Sequence, residues 1–344
     1  MAAPHLVVIG AGSAGRRHAQ NLSRLGATVA CYDPRPDRRR QAQQELPALA
    51  QVYASFEQVL DDARRFAGVV IASPPSAHVE QALACVARGV PVLLEKPIAP
   101  DLATALTLEQ TLKTAPVPVL LGYTYRWWPP LLELRRRLGE GAVGALRHAR
   151  FMMSAHLADW HPWERYQEFF MAHQEQGGGA LLDESHFLDL MVWLFGMPDT
   201  LWGRVEHVSS LDIDTDDNVD VVAIYPEGFR ATLHLDLYGR PHEKSVTVVG
   251  ERGTLQCAFA PDAVRWSSSA SGDWQVQRFA CERNDMFLAE AKEFLALISG
   301  SATGAPSCTV EDGMRVLQCV EAIRLSMQQE RTVRVDACLK IDAS

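Results

Sequence analysis

The chain has 344 residues, 47% apolar and 22% charged, with a formal net charge of −9. That length exceeds what one core usually holds, so two domains are expected, and the acidic balance without a large basic cluster argues against nucleic acid as a partner. No apolar run approaches the ~18–20 residues of a membrane span, so no membrane partner is expected.

The first apolar run, Leu6-Val7-Val8-Ile9, reads as a buried strand. It feeds into Gly10-Ala11-Gly12-Ser13-Ala14-Gly15, and a helix follows that stops at Gly26. A second strand, Thr28 to Tyr32, ends on Asp33. Strand, G-x-G-x-x-G turn, helix, strand and terminal acid are the parts of a dinucleotide site. The glycines let the backbone approach the pyrophosphate, the helix N-terminus faces it, and the acid takes a ribose hydroxyl. A carboxylate at Asp33 repels a 2′-phosphate, so NAD is expected over NADP, with Arg35 and Arg38 near enough in sequence to soften that preference.

Further along, Pro36 to Leu46 reads as a charged surface helix, and Ser55-Phe56-Glu57-Gln58 as a capping box for a helix to about Arg64. Strands at Gly68–Ala72, Val92–Leu94 and Val117–Leu121 alternate with helices at 76–88 and, capped by Asp101, to about Thr114. Apolar strands alternating with helices indicate a parallel sheet covered on both faces, whose ligands lie at the strands' C-terminal ends. Gly10, Asp33, Ser73, Glu95 and Gly122 are therefore expected around one crevice.

The rhythm changes near Tyr123, so a boundary is expected at 122/123, giving domains 1–122 and 123–344. From Arg147 onward, strand-like segments follow one another between turns at 226–228, 239–241, 250–253 and 267–272. Helices are expected at Leu181–Phe195, about Asn284–Ile298 and about Val310–Gln329. This is the pattern of an α+β domain with an antiparallel sheet.

Several residues can carry chemistry. Lys96 follows a parallel strand, where it can hydrogen-bond a substrate oxygen; position alone equally allows a surface lysine. Asp183 and His186 follow the run Gly177-Gly178-Gly179. On one helix they would lie about 60° apart, facing away from the apolar stripe of Leu188, Met191, Val192 and Phe195. A carboxylate orienting a neutral imidazole is a proton acceptor near neutral pH. An acid at a helix N-terminus with a solvated histidine below it is the other reading. Aromatic and basic residues crowd 123–128 and Trp160-His161-Pro162-Trp163-Glu164-Arg165-Tyr166. They suit a sugar or polyol, and equally a core or subunit interface. We expect Trp160, Arg165 and Tyr166 in a substrate wall, with Arg165 and Tyr166 on the sugar or its acidic substituent. Asp212, Asp214, Asp216 and Asp217 form an acidic turn without the glycine loop of a calcium site. Seven cysteines without C-x-x-C spacing argue against structural zinc and fit a reducing compartment. With a strand starting almost at the N-terminus, leaving no room for a signal peptide, a cytoplasmic location is expected.

Together these motifs resemble the glucose–fructose oxidoreductase / inositol dehydrogenase (Gfo/Idh/MocA) family over essentially the whole chain. The carriers are Gly10-x-Gly12-x-x-Gly15, Ala72-Ser73-Pro74-Pro75 with His78, Glu95-Lys96-Pro97, Gly122-Tyr123 with Arg126, the segment 177–196 and Arg283-Asn284-Asp285-Met286-Phe287. The resemblance implies a Rossmann doubly wound parallel sheet followed by an open-faced, mainly antiparallel sheet, and homodimers or homotetramers. It implies a nicotinamide cofactor held by Gly10, Gly12, Ser13, Ala14, Gly15, Asp33, Ser73, Pro74, His78, Glu95, Lys96 and Arg126. Hydride transfer at a sugar, polyol or sugar-nucleotide carbinol would use Lys96, Asp183 and His186, with Tyr125 among the substrate contacts and no metal required. In that scheme His186 accepts the hydroxyl proton, Asp183 orients it and Lys96 holds the same oxygen. Asp183 and His186 are three apart where many members space them four apart, and Thr124 replaces a frequent asparagine. Relatives that use bound NAD transiently to hydrolyse glycosides, or that bind NAD as silent regulators, define the alternative readings.

Overall fold

A computed structural model describes residues 3–160, 165–268, 270 and 272–337. Six parallel strands, β1 (His5–Ile9), β2 (Thr28–Tyr32), β3 (Gln51–Tyr53), β4 (Gly68–Ile71), β5 (Val92–Glu95) and β6 (Val119–Gly122), form one sheet in the order β3-β2-β1-β4-β5-β6. Helices α1 (Ser13–Arg24), α2 (Pro36–Glu45), α3 (Phe56–Asp61), α4 (Pro75–Val86) and α5 (Leu102–Thr114) make the crossovers. The four residues of β4, of β5 and of β6 are all buried, as expected of strands covered on both faces. The strand order reverses between β1 and β4, and a doubly wound sheet opens its ligand crevice at that point.

Local chemistry sets the element ends. Ser55 Oγ accepts from Gln58 N–H at 3.3 Å and Asp101 from Thr104 N–H at 2.8 Å, starting α3 and α5. Helix α3 stops at Asp61, and a 3-10 turn, Ala63–Arg65, takes up the residues expected to extend it. Strand β3 has no counterpart in the sequence reading. It is three residues long, at the sheet edge, with Gln51 exposed, so it carries no period to detect.

The second sheet has nine strands: β7 (Leu146–Ser154), β8 (Thr200–Glu206), β9 (Asn218–Ile224), β10 (Arg230–Asp236), β11 (Glu243–Gly250), β12 (Gly253–Phe259), β13 (Asp262–Ser267), β14 (Gln275–Arg278) and β15 (Val333–Arg334). Their order is β14-β13-β12-β11-β7-β10-β9-β8-β15, antiparallel throughout except for the parallel pair β7–β10. Helices α6 (Pro129–Gly139), α7 (Ala180–Asp183) and α8 (His186–Phe195) belong with it. The single helix expected over 181–195 is instead these two, separated by Glu184 and Ser185. Glu184 leaves helical geometry at φ −91°, ψ 19° and Gly179 enters with φ +105°.

Two more helices, α9 (Arg283–Ile298) and α10 (Val310–Gln329), lie between β14 and β15 in sequence. The chain divides into two compact units: Met1–Thr124 with Arg283–Met314, and Tyr125–Glu282 with Arg315–Ser344. The patterning suggests a single cut at 122/123; the structure adds the return of 283–314 to the first unit. Packing explains that return. Phe294 of α9 is fully buried, its ring filling the space a Cβ on Gly68 would need, 2.9 Å away. Asn284 and Asn21 exchange amide hydrogen bonds at 2.9 and 3.1 Å, and Leu121 N–H donates to Cys308 O at 3.1 Å. Among the described residues, no helix is long and apolar enough to cross a membrane.

Candidate functional site

In the first unit the glycine turn is built by exclusion. A Cβ on Gly15 would lie 1.7 Å from Gly10 O, and one on Gly10, which sits at φ +94°, would lie 2.5 Å from Ala72 O. The turn is thus pressed between β1, β4 and α1, and no other residue type fits. Gly12 is the N-cap of α1 and supplies no side-chain cap, so the first N–H groups of the helix remain available to an anion. Asp33, 5% exposed, accepts from Ala11 N–H through Oδ2 at 2.7 Å and from Arg35 N–H through Oδ1 at 2.9 Å. Arg38 Nη1 lies only 2.6 Å from the space a Cβ on Gly12 would take, placing a cation at the turn. Ser13, Ala14 and Gly15 form the first turn of α1. This cradle, open helix end and ribose-side carboxylate fit a dinucleotide.

Behind the end of β5 lies a buried cluster. His18 of α1 and Glu95 meet at 2.6 Å between Nε2 and Oε1, and Glu290 of α9 lies 4.0 Å from His18 Nδ1. Burial opposes ionisation of Glu95. The His18 hydrogen bond, with the charges of His18, Lys96 and His78, nevertheless holds its carboxyl below the usual range. Glu290 is fully buried, and burial, with the charges of Glu95 and Glu293, pushes its carboxyl well up. His78 is also fully buried. Its ring nitrogens lie 2.7 Å from Pro97 O and 2.8 Å from Ser73 O. It therefore clips the turn after β4 to the turn carrying Lys96. Burial lowers its pKa, against those two carbonyl contacts. Ser73 Oγ donates to Gln81 at 2.6 Å, Pro74 is the N-cap of α4, and Lys96 N–H reaches Glu95 Oε2 at 3.3 Å.

In the second unit, Asp183 ends α7 and His186 begins α8. Asp183 is 6% exposed, and the break at 184–185 puts it and His186 on separate helices where the sequence suggests one. Asp216 starts α7, accepting Leu181 N–H at 2.8 Å, while burial raises its pKa. Asp214 accepts Gln174 N–H at 2.6 Å, and Asp217 accepts Val208 and Ser209 N–H at 2.8 and 3.1 Å. The acidic run thus organises the loops around α7. The Tyr125 ring stands 4.6 Å from that of His186 and also meets Phe187 and Phe259. Lys244 Nζ donates to Tyr125 Oη at 2.9 Å and lies 3.7 Å from Glu184 Oε1 and 5.9 Å from the Trp160 ring.

Three more of the expected residues lie in the second unit. Arg126 is buried in a two-pronged ion pair with Asp189, 2.6 Å at its shortest. Removing one partner of such a pair costs about 3–5 kcal/mol. Tyr166 Oη accepts from Asp212 N–H at 3.2 Å, and Arg165 is exposed at the start of a 3-10 turn. His161, Pro162, Trp163 and Glu164 lie outside the described residues, as do 269 and 271 of the turn at 267–272 and Cys338.

His18, Asp189, Glu184 and Lys244 escape the motif reading. His18 lies one turn beyond Gly15 and Asp189 one turn beyond His186, so spacing from a recognised motif could have flagged both. Lys244 has no such signal, since its partner Tyr125 is 119 residues away.

Two family models match the chain. One, described as an oxidoreductase family with an NAD-binding Rossmann fold, covers residues 5–123, and the other, the GFO/IDH/MocA C-terminal domain, covers 131–256. The myo-inositol dehydrogenase Hyg17 of Streptomyces leeuwenhoekii is 27% identical over 93% of this chain and 96% of its own. The myo-inositol 2-dehydrogenase of Thermotoga maritima is 25% identical over 96% and 98%. A levoglucosan dehydrogenase solved with NADH and levoglucosan shares the fold, with a TM-score of 0.84, 18% identity, and coverage of 96% and 99%. The chain belongs to the Gfo/Idh/MocA oxidoreductase family, with its NAD-binding Rossmann domain followed by the family's C-terminal domain.

Proposed function

We propose that this NAD-dependent oxidoreductase acts on the CH–OH group of a sugar or polyol. The observation that carries the reading is the helix break at Glu184–Ser185, which sets a buried carboxylate, Asp183, and His186 at consecutive helix ends beside Tyr125. His186 is assigned acceptance of the hydroxyl proton and Asp183 its orientation; Lys96 is assigned a hydrogen bond to a substrate oxygen. The residues for the dinucleotide are Gly10, Gly12, Ser13, Ala14, Gly15 and Asp33, with Ser73, Pro74 and His78 shaping the neighbouring turn. Glu95 and Arg126 complete the assignment, acting through Lys96 and through Asp189. Bound NAD supplies the hydride acceptor. Inositol and levoglucosan are the substrates named for the relatives, and they mark the class of ring polyol from which to start. Trp160, Arg165 and Tyr166 are assigned to the substrate wall. A cytoplasmic homodimer or homotetramer is part of the same reading.

The test is to incubate the purified protein with NAD⁺ and a panel of inositols, aldoses, anhydrosugars and sugar nucleotides, following NADH. Net NADH with at least one member supports the reading. Glycoside cleavage without net NADH would replace it with hydrolysis. Tight NAD binding with no turnover on any compound would replace it with a silent NAD-binding regulator.

A further inference from the structure

Lys244 lies on β11 in the register of Val246 and Val248, both fully buried, so all three side chains occupy one face of that strand. Its ammonium has three donors and no acceptor. In the 2.9 Å contact with Tyr125, the phenol oxygen must therefore accept, and its own O–H proton turns elsewhere. The ring has little freedom to follow, since His186, Phe187 and Phe259 pack around it at 4.6, 5.9 and 5.2 Å. The result is a rigid phenol whose hydrogen-bonding sense is set by a residue 119 positions away, against the imidazole of His186. Glu184, 3% exposed and 3.7 Å from Nζ, offsets the lysine charge, and Asp183 adds a carboxylate nearby in sequence. Such a cluster suits a neutral hydroxyl group better than a carboxylate or phosphate.

We propose that Tyr125 donates a hydrogen bond to a second, non-reacting hydroxyl of a neutral polyol, and that Lys244 is the positioning residue that sets the direction of that bond. This rests on the dehydrogenase reading for its substrate class and adds a specificity contact to it. A substrate lacking a hydroxyl beside the reacting carbon should lose this contact, and one bearing an acid there should be disfavoured.

The test is a double-mutant cycle with Tyr125→Phe, Lys244→Met and the double variant, plus Lys244→Arg. The readouts are kinetics with NAD⁺ and myo-inositol and calorimetric titration of myo-inositol into the NADH complex. Each single variant should lose about 3- to 10-fold in affinity for the polyol, the range for one hydrogen bond. The loss should fall mainly on KM, and Lys244→Arg should recover most of it. In the Tyr125→Phe background Lys244→Met should add less than about 2-fold, because the two act as one unit. A Lys244→Met loss that persists in full in that background would overturn the proposal, since it would mean direct substrate contact or a purely structural role. Failure of the wild type to bind myo-inositol would overturn it as well. Binding without NADH production would leave the hydrogen-bond cycle readable by calorimetry while sinking the dehydrogenase reading.

Discussion

The two units place their chemistry by different means. In the first, the candidate groups sit where main chain meets main chain: a glycine turn pressed against Ala72, a carboxylate tied to Ala11 N–H, a lysine after a buried strand. Close backbone approach leaves a mark in the sequence, because only glycine fits and the flanking strands must be apolar. In the second unit the groups are placed by side chains meeting across long separations, Arg126 with Asp189 at 63 residues and Tyr125 with Lys244 at 119. Those pairings leave no local pattern. The cofactor half of such a protein is thus written in short motifs, and the half to which we assign the substrate is written in tertiary contacts.

The strongest test of that contrast removes the proposed proton acceptor. His186→Ala is expected to lower turnover roughly 10²- to 10⁴-fold, the usual size of a general-base contribution. NAD⁺ affinity should stay near wild type, because the cradle belongs to the first unit. Unchanged turnover would remove His186 from the mechanism. A matched loss of NAD⁺ affinity would break the division of labour itself.

What could be read before the structure follows the same line. The apolar runs at 6–9, 68–72 and 92–94 and the caps at Ser55 and Asp101 depend on neighbours within a few residues, and the helix and strand boundaries there agree to within a few positions. The break between α7 and α8 does not depend on neighbours alone. Asp216, more than thirty positions on, caps the short first helix, and the intrinsic pattern of 181–195 is continuous without it. The return of α9 rests on Phe294 meeting a glycine in β4, which periodicity cannot register. Lys96, Asp183 and His186 are assigned their chemistry by resemblance, because position alone leaves each of them balanced between a chemical and a structural role.

Asp33 provides the next test, within the legible half. Asp33→Ala removes two charge-assisted contacts to main-chain N–H groups and the acceptor assigned to the ribose. NAD⁺ binding should weaken about 10- to 100-fold, while NADP⁺ binding changes less, with Arg38 already at the turn. Direct titration of both cofactors into wild type and variant reads this out. Comparable or tighter binding of NADP⁺ by the wild type would show that Arg38 outweighs the carboxylate and that NAD is not the preferred form.

The smallest expected effect concerns Glu290, which belongs to the first unit yet was invisible to motif reading. Its side chain is fully buried; neither carboxyl oxygen has a hydrogen-bond partner among the described residues, and the contact to His18 Nδ1 is 4.0 Å. Burial, with Glu95 and Glu293, raises its pKa well above the 4.5 of a free glutamate. A carboxyl with a raised folded-state pKa contributes stability that is fully present below the unfolded value. That stability is lost as the pH rises through the folded value, because ionisation is then easier in the unfolded chain. Glu290→Gln keeps the shape and cannot ionise, so it should escape that loss. Its Tm should exceed that of the wild type by about 2–4 °C near pH 8, with the gap closing as the pH falls toward about 5. Thermal melts across that range, with NADH absent, would check it. A constant gap at all pH values, or a variant less stable near pH 8, would mean that burial does not neutralise Glu290 and that its own carboxylate is carried in the folded protein at neutral pH.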